Sequence, residues 1–180
     1  INKSTFKIPR NIIHLNELIL SVYAICNQLG IEDEIIQEAL NTFTIPSGRG
    51  SIIDNSKYII INDAYNASPA SMKFGIKRFS GMKKTNRKIL IIGDMLELGE
   101  HAIPEHEKLA KIINLTNIDI VFTIGSLMLY TYEKLNDNYN IKSHFSNINT
   151  LKNKFKKIVE KDDIVFIKGS RKMTLERIYN

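Results

Sequence analysis

Tyr58-Ile59-Ile60-Ile61-Asn62-Asp63-Ala64-Tyr65-Asn66-Ala67-Ser68-Pro69-Ala70-Ser71-Met72 is the stretch that decides the fold. Its run Ile59–Ile61 is too short for a helix and consists of β-branched residues, so it predicts a buried strand. The strand is expected to stop at Asn62-Asp63, where polar side chains begin. Ser68 then has the chemistry of a helix N-cap, with Pro69 at the first helical position. Met72, Ile76 and Phe79 follow at helical spacing, and Gly81 is placed to close the helix. The pattern is strand, polar loop, helix. In open α/β sheets ligands bind outside the carboxyl ends of the strands, and helix N-termini there favour anions. A carboxylate at such a strand end, here Asp63, can accept hydrogen bonds from a ribose hydroxyl. Asp63 and Asn66 can equally cap local backbone, and spacing does not choose between these readings.

Upstream, Ile12, Leu15, Leu18, Ile19, Val22, Ile25, Cys26 and Leu29 recur with helical period up to Gly30. Glu32, Asp33 and Glu34 suit the positive start of a second helix, with Ile31, Ile35, Ala39 and Phe43 as its stripe. Residues 1–44 thus read as a helical pair too small to stand alone. Residues 45–180 read as a second domain, the boundary falling between Thr44 and Ser47. Ile52-Ile53 and Tyr58–Ile61 flank Asp54-Asn55-Ser56-Lys57, which predicts a hairpin. Lys83–Lys88 reads as a solvated basic loop. Strands are expected at Ile89–Ile92, Ile120–Ile124, Lys142–Phe145 and Ile164–Ile167. Helices are expected over Pro104–Ile113, Leu127–Leu135, Ile148–Val159 and Thr174–Tyr179. Strands that alternate with helices and are apolar on both faces predict an α/β fold. The expected architecture is a Rossmann-like, mostly parallel sheet with helices on both faces.

Composition bounds the function. Net charge is +6, from 25 basic and 19 acidic residues, with an ordinary hydrophobic content of 43%. A basic total can signal nucleic acid or phosphate ligands. The basic run here has no interleaved aromatics, so no nucleic-acid partner is expected. The single cysteine, Cys26, excludes an internal disulfide, reads as a small core residue, and fits a reducing cytoplasm. No run approaches the roughly 18 apolar residues of a membrane helix, so no membrane insertion is expected. A chain that opens at Ile1 rather than Met reads as a piece of something longer.

The polar groups follow the strands. Asp63 and Asn66 follow one, Asp94 and Glu97 the next, and Lys168, Ser170 and Arg171 the last. Parallel strands would bring all three loops to one edge of the sheet, the place of a binding crevice. Neither G-x-G-x-x-G nor G-x-x-x-x-G-K-[ST] occurs, so no self-sufficient dinucleotide or P-loop site is present. Arg49, between Gly48 and Gly50, has a guanidinium suited to phosphate oxygens, or is a solvated loop residue. Asp94 and Glu97 read as paired carboxylates, or as a turn and a helix cap. His101 and His106 lack the spacing of a zinc helix motif, and no metal site is assigned. Lys168, Ser170 and Arg171 make the best carboxylate-binding group, or a basic helix terminus.

Four motifs in order carry a family resemblance. Asp63-Ala64-Tyr65-Asn66-Ala67-Ser68-Pro69 resembles the Asp-Ser-Tyr-Asn-Ala-Asn-Pro signature of the Mur ligases. Ser47-Gly48-Arg49-Gly50, Ile92-Gly93-Asp94-Met95-Leu96-Glu97-Leu98-Gly99 and Val165-Phe166-Ile167-Lys168-Gly169-Ser170-Arg171-Lys172-Met173 match in the same order. The likeness covers nearly the whole chain. It is strongest to the branch that adds D-alanyl-D-alanine to UDP-N-acetylmuramoyl-tripeptide in peptidoglycan synthesis. Ala64 and Ser68 depart from the usual Ser and Asn. Leu15 and Leu18 stand where the central domain usually has Asn, next to His14.

The resemblance implies an ATP-dependent, amide-forming ligase of the cytoplasm, working through an acyl phosphate with Mg²⁺. Residues 1–44 would be the helical tail of the central ATP-binding domain, and residues 45–180 the C-terminal domain that closes over ATP and dipeptide. It implies ATP binding by Arg49, Asp63, Tyr65 and Asn66. It implies substrate binding around Asp94, Glu97, Lys168, Ser170 and Arg171. No catalytic or metal-binding residue is expected within the chain, since P-loop and metal ligands would lie upstream. The competing expectation is a non-catalytic nucleotide- or anion-binding α/β module.

Overall fold

The computed structural model describes residues 4–9, 12–83 and 86–180, without the side chain of His14. The His14 side chain, and Lys84 and Thr85 of the basic run, therefore lie outside the described residues. The chain divides into two compact units, Ile1–Pro46 and Ser47–Asn180.

In the first unit a 3-10 turn, Ile13–Leu15, leads into α1, Asn16–Gln28, and α2 spans Asp33–Thr42. Gly30, at φ +73°, turns the chain between them, a conformation glycine adopts without steric cost. Asp33 and Glu34 sit in the first turn of α2, as the helix dipole favours. Gln37 on α2 holds the extended lead-in segment by accepting from Lys7 N and donating to Lys7 O. The expected stripes form, but two helices cannot seal them. Only Ile12 and Ile36 are buried among the described apolar side chains of this unit. Leu18, Leu20, Val22, Ile25 and Leu29 remain exposed, and Cys26 is only partly covered rather than a core residue.

In the second unit the strands are β1 Ser51–Asp54, β2 Ile59–Asp63, β3 Lys88–Gly93, β4 Ile120–Ile124, β5 Ile141–Phe145 and β6 Ile164–Lys168. They form one sheet in the order β1-β2-β6-β3-β4-β5. β1 and β2 are the antiparallel hairpin, and every other neighbour is parallel. The helices are α3 Pro69–Gly81, α4 Ala102–Ile113, α5 Met128–Glu133 and α6 Ile148–Ile158. Alternation along the strands builds two cores. Ile61, Leu90, Ile92, Val121 and Phe166 pack with Met72, Phe79, Leu109 and Met128 of α3, α4 and α5. Ile60, Ile89, Ile91, Phe122 and Val165 pack with Phe155 of α6 and with Leu175 and Ile178 near the C-terminus. This two-sided burial is why the strands read as uninterrupted apolar runs.

Several local expectations are corrected. β2 continues through Asn62 and Asp63 rather than stopping before them, because both pair with β6. Buried Asn62 satisfies its amide internally, donating to Tyr179 Oη and accepting from Ala64 N. Ser68 caps α3, in a reciprocal capping box with Ser71, and the helix closes at Gly81 with Met82 as its C-cap. Lys88 belongs to β3 rather than to the basic loop. Its fully buried ammonium donates to Ser80 O and Met82 O. The closing segment is two 3-10 turns, Arg171–Met173 and Leu175–Ile178, parted by left-handed Thr174. α5 is shorter than expected, Met128–Glu133 rather than Leu127–Leu135.

Candidate functional site

The sheet order sets the site. β6 lies between β2 and β3, so the loops leaving the carboxyl ends of these three strands are neighbours. Asp63 is directly opposite Lys168, and Lys168 opposite Ile92, one residue before Gly93-Asp94. The three polar groups that the sequence spreads over more than a hundred residues therefore meet at one edge.

The first corner is built by Gly48, Arg49 and Tyr65. Gly48 and Gly50 have φ near +80°, and Gly50 N donates to Asn62 O while Tyr65 N donates to Gly48 O. A Cβ at Gly48 would press on Tyr65 at 3.2 Å. The result lays the Arg49 guanidinium over the Tyr65 ring, 4.0 Å from its centroid, with both side chains exposed. An exposed cation on an aromatic face presents both charge and a flat apolar surface.

The second corner is Asp63 with Lys168. Lys168 Nζ lies 2.7 Å from Asp63 Oδ2, and it also donates to Asn66 O at 3.0 Å. Lys168 is 3% exposed, whereas the Asp63 side chain keeps 27%. Asp63 Oδ1 has no hydrogen-bond partner among the described residues. Arg78 on α3 is also within the field of Asp63. Burial pushes its guanidinium below the ordinary value, and the carboxylate partly restores it.

The third corner joins the β3 and β6 loops. Ser170 N donates to Asp94 O, and Leu96 N donates to Ser170 Oγ at 2.9 Å. Buried Asp94 accepts from Met128 N at 2.8 Å through Oδ1, fixing the start of α5. Gly125 makes room for this carboxylate, since a Cβ there would sit 2.4 Å from it. Asp94 thus organises the loops rather than facing outward. Glu97, at φ +67°, is exposed and does not cap a helix. Arg171 is exposed and pairs with Glu176 at 2.7 Å.

The sequence reading missed His106. It is fully buried, with Nδ1 2.7 Å from Ala102 O and Nε2 accepting from Met95 N at 3.0 Å. That pattern requires the proton on Nδ1. Its own carbonyl accepts from Thr131 Oγ1. Only its spacing of four from Ala102 could have hinted at this role. Desolvation holds its pKa below the ordinary value against the opposing pull of the Ala102 carbonyl, Asp94 and Glu105. His144 is lowered in the same way, again chiefly by burial. A lowered folded value means that, below about pH 6.5, the unfolded chain binds protons the native chain refuses. Stability is therefore expected to be full above about pH 6.5 and to decline on acidification towards the folded values. Urea unfolding at pH 7.5 and 5.5 measures this, and His106→Asn should flatten the slope without abolishing it, because His144 remains.

No group of three or more His, Cys, Asp or Glu side chains converges as a metal site among the described residues. None of their helices is long and apolar enough to cross a membrane. The groove of the first unit, lined by Leu15, Ile19, Tyr23, Ile36 and Phe43, is mostly apolar.

Residues 48–171 match the family model described as Mur ligase, glutamate ligase domain. The UDP-N-acetylmuramoyl-tripeptide–D-alanyl-D-alanine ligase of Bacillus subtilis is 35% identical over 152 residues, covering 83% of this chain and 33% of that protein. The ligase of the same name from Rickettsia prowazekii is 33% identical over 95% of this chain and 37% of that protein. The chain thus spans about a third of the length of these relatives. Among solved structures, MurF from Acinetobacter baumannii superposes with TM-score 0.78 at 22% identity, over 92% of this chain and 37% of that one. MurF ligase from Thermotoga maritima in complex with ADP gives 0.70 at 24% identity, over 86% of this chain and 34% of that one. These two likenesses establish the mostly parallel α/β fold.

Proposed function

This chain belongs to the Mur ligase family, and from that premise we propose that it is the C-terminal part of an ATP-dependent ligase joining D-alanyl-D-alanine to UDP-N-acetylmuramoyl-tripeptide. The observation that carries the reading is the meeting of three family-like loops at the carboxyl ends of β2, β6 and β3. The names of the two relatives supply the substrates, and the ADP complex of a structural neighbour supports nucleotide binding. On this reading residues 1–44 are the helical tail of the central ATP-binding domain. Their exposed apolar side chains are what a piece of a larger core would show.

Arg49, Asp63, Tyr65 and Asn66 form the ATP side. Tyr65 and the Arg49 guanidinium give a flat, cationic surface suited to a nucleotide, and Asp63 Oδ1 is free to accept from a hydroxyl. The loops Asp94–Glu97 and Gly169–Arg171 form the side that receives the dipeptide, with exposed Arg171 able to swing from Glu176 onto a carboxylate. ATP activates a carboxyl group for attack by the dipeptide amine. The residues of this chain position and neutralise charge rather than transfer protons. On this reading Mg²⁺ is held by other residues of the whole ligase. The site faces small-molecule substrates in the cytoplasm, with no nucleic-acid partner.

The test compares the 180-residue chain with a longer protein that contains it. The chain alone has no phosphate-cradling P-loop and is expected neither to turn over ATP nor to ligate. The longer protein should form the amide from the tripeptide and D-alanyl-D-alanine only with ATP. Steady ATP turnover by the pure chain, or a longer protein that binds nucleotide without ligating, contradicts the proposal. The second result would favour a non-catalytic binding module.

A further inference from the structure

Lys168 stands in a motif whose other polar members, Ser170 and Arg171, lie beside the acceptor loop, yet its charge points the other way. It is the last residue of β6 and is 3% exposed. Its ammonium donates to Asp63 Oδ2 at 2.7 Å and Asn66 O at 3.0 Å, with Asp63 O a weaker third acceptor at 3.4 Å. An ammonium has three donors, and all three are directed to the end of β2 and the loop that follows it. None remains for an incoming carboxylate. The stem reaches there across α3 at Gly75, where a Cβ would lie 3.5 Å from Lys168 Cδ and 2.8 Å from the Phe166 ring. The absence of a side chain at that helix position therefore keeps the path open. A second charge near the carboxylate is that of Arg78, on the adjoining helix.

We propose that Lys168 is a positioning residue for the nucleotide-facing loop and not a ligand of the acceptor. It takes one oxygen of Asp63 and the carbonyl of Asn66, and so fixes the carboxylate with Oδ1 presented outward. The same strand end continues through Gly169 to Ser170, which accepts from Leu96 N. The ATP-side loop and the acceptor-side loop are thereby tied to one another through a single strand end. A shift of either is resisted by the buried ion pair, because separating its partners would leave a desolvated charge unmatched. This role rests on the function proposed above.

The experiment uses the whole ligase carrying this chain, with Lys168→Met, Lys168→Arg, Asp63→Asn and the double variant Lys168→Met/Asp63→Asn. ADP affinity is measured calorimetrically without dipeptide, and KM for D-alanyl-D-alanine at saturating ATP. Lys168→Met is expected to weaken ADP binding about tenfold or more while moving the dipeptide KM by less than about threefold. The double variant should be no weaker than the worse single one, since the two residues act as one unit. If Lys168→Met does not fold, Lys168→Arg decides by the same readouts. It keeps the charge but cannot put one nitrogen between both acceptors, so ADP binding should still weaken. A raised dipeptide KM with unchanged ADP affinity, in whichever variant folds, overturns the positioning role. Additive losses in the double variant overturn it as well. A wild-type protein that fails to ligate overturns the proposed function first, and this role with it.

Discussion

Asp163→Ala is expected to lower the stability of the chain by about 3–5 kcal/mol, the cost of breaking a buried ion pair by removing one partner. The Asp163 side chain is wholly buried at the edge of the sheet opposite the candidate site, just before β6. Its Oδ1 accepts from Arg87 Nε at 3.1 Å and Asn86 Nδ2 at 3.2 Å. Its Oδ2 accepts from an Arg87 Nη at 2.8 Å and from Glu160 N. Arg87 also donates to Ile158 O and pairs with Glu160. The carboxylate is thus the hub that holds the end of α6, the turn before β6 and the start of β3 together. Asp163 holds the Arg87 pKa above its ordinary value, chiefly through their hydrogen bonds. Alanine leaves the Glu160 N–H and most of the guanidinium without that acceptor. Urea denaturation of wild type and variant measures the difference. A loss below about 1 kcal/mol, the range of exposed pairs, would mean that water reaches the site and replaces the carboxylate.

The second large effect concerns binding. In the whole ligase, Asp63→Ala is expected to weaken ATP use by roughly ten- to 150-fold, corresponding to about 1.5–3 kcal/mol for a hydrogen bond to a charged group. Two losses combine. The ligand loses the acceptor Oδ1, and Lys168 loses the partner that fixes the loop. The second loss also leaves a buried ammonium with only carbonyl acceptors, so the variant should melt earlier than wild type. Asp63→Asn separates the effects. It keeps the shape and an acceptor for Lys168 while removing charge, and should retain more stability than it retains affinity. ATP titration and thermal unfolding of both variants check this. Unchanged ATP kinetics in Asp63→Ala would reduce Asp63 to a strand-end residue that serves only the fold.

The sequence by itself determined the elements. The run Ile59–Ile61, the Ser68-Pro69 cap and the helical spacing of Met72, Ile76 and Phe79 are local signals, and local physics decides them. The same holds for the apolar runs Ile89–Ile92, Ile120–Ile124 and Ile164–Ile167, whose two-sided hydrophobicity announces a covered parallel sheet. The four motifs also marked which loops to watch. Periodicity could not reveal where the last strand inserts. β6 enters between β2 and β3, and only that choice puts Lys168 against Asp63 and Ser170 against Leu96. Nor could it reveal which polar side chains turn inward. Lys88 reads as the end of a solvated basic loop, Asp163 carries no local signal, and His106 reads as one of two histidines without zinc-motif spacing. Each is buried because the tertiary structure supplies its partners, carbonyls for Lys88, Arg87 for Asp163, and Met95 N with Ala102 O for His106. A buried polar group is tolerated only where such partners converge, and they come from residues far apart in the chain or across a turn of helix. That convergence is a property of packing, and no window of sequence contains it.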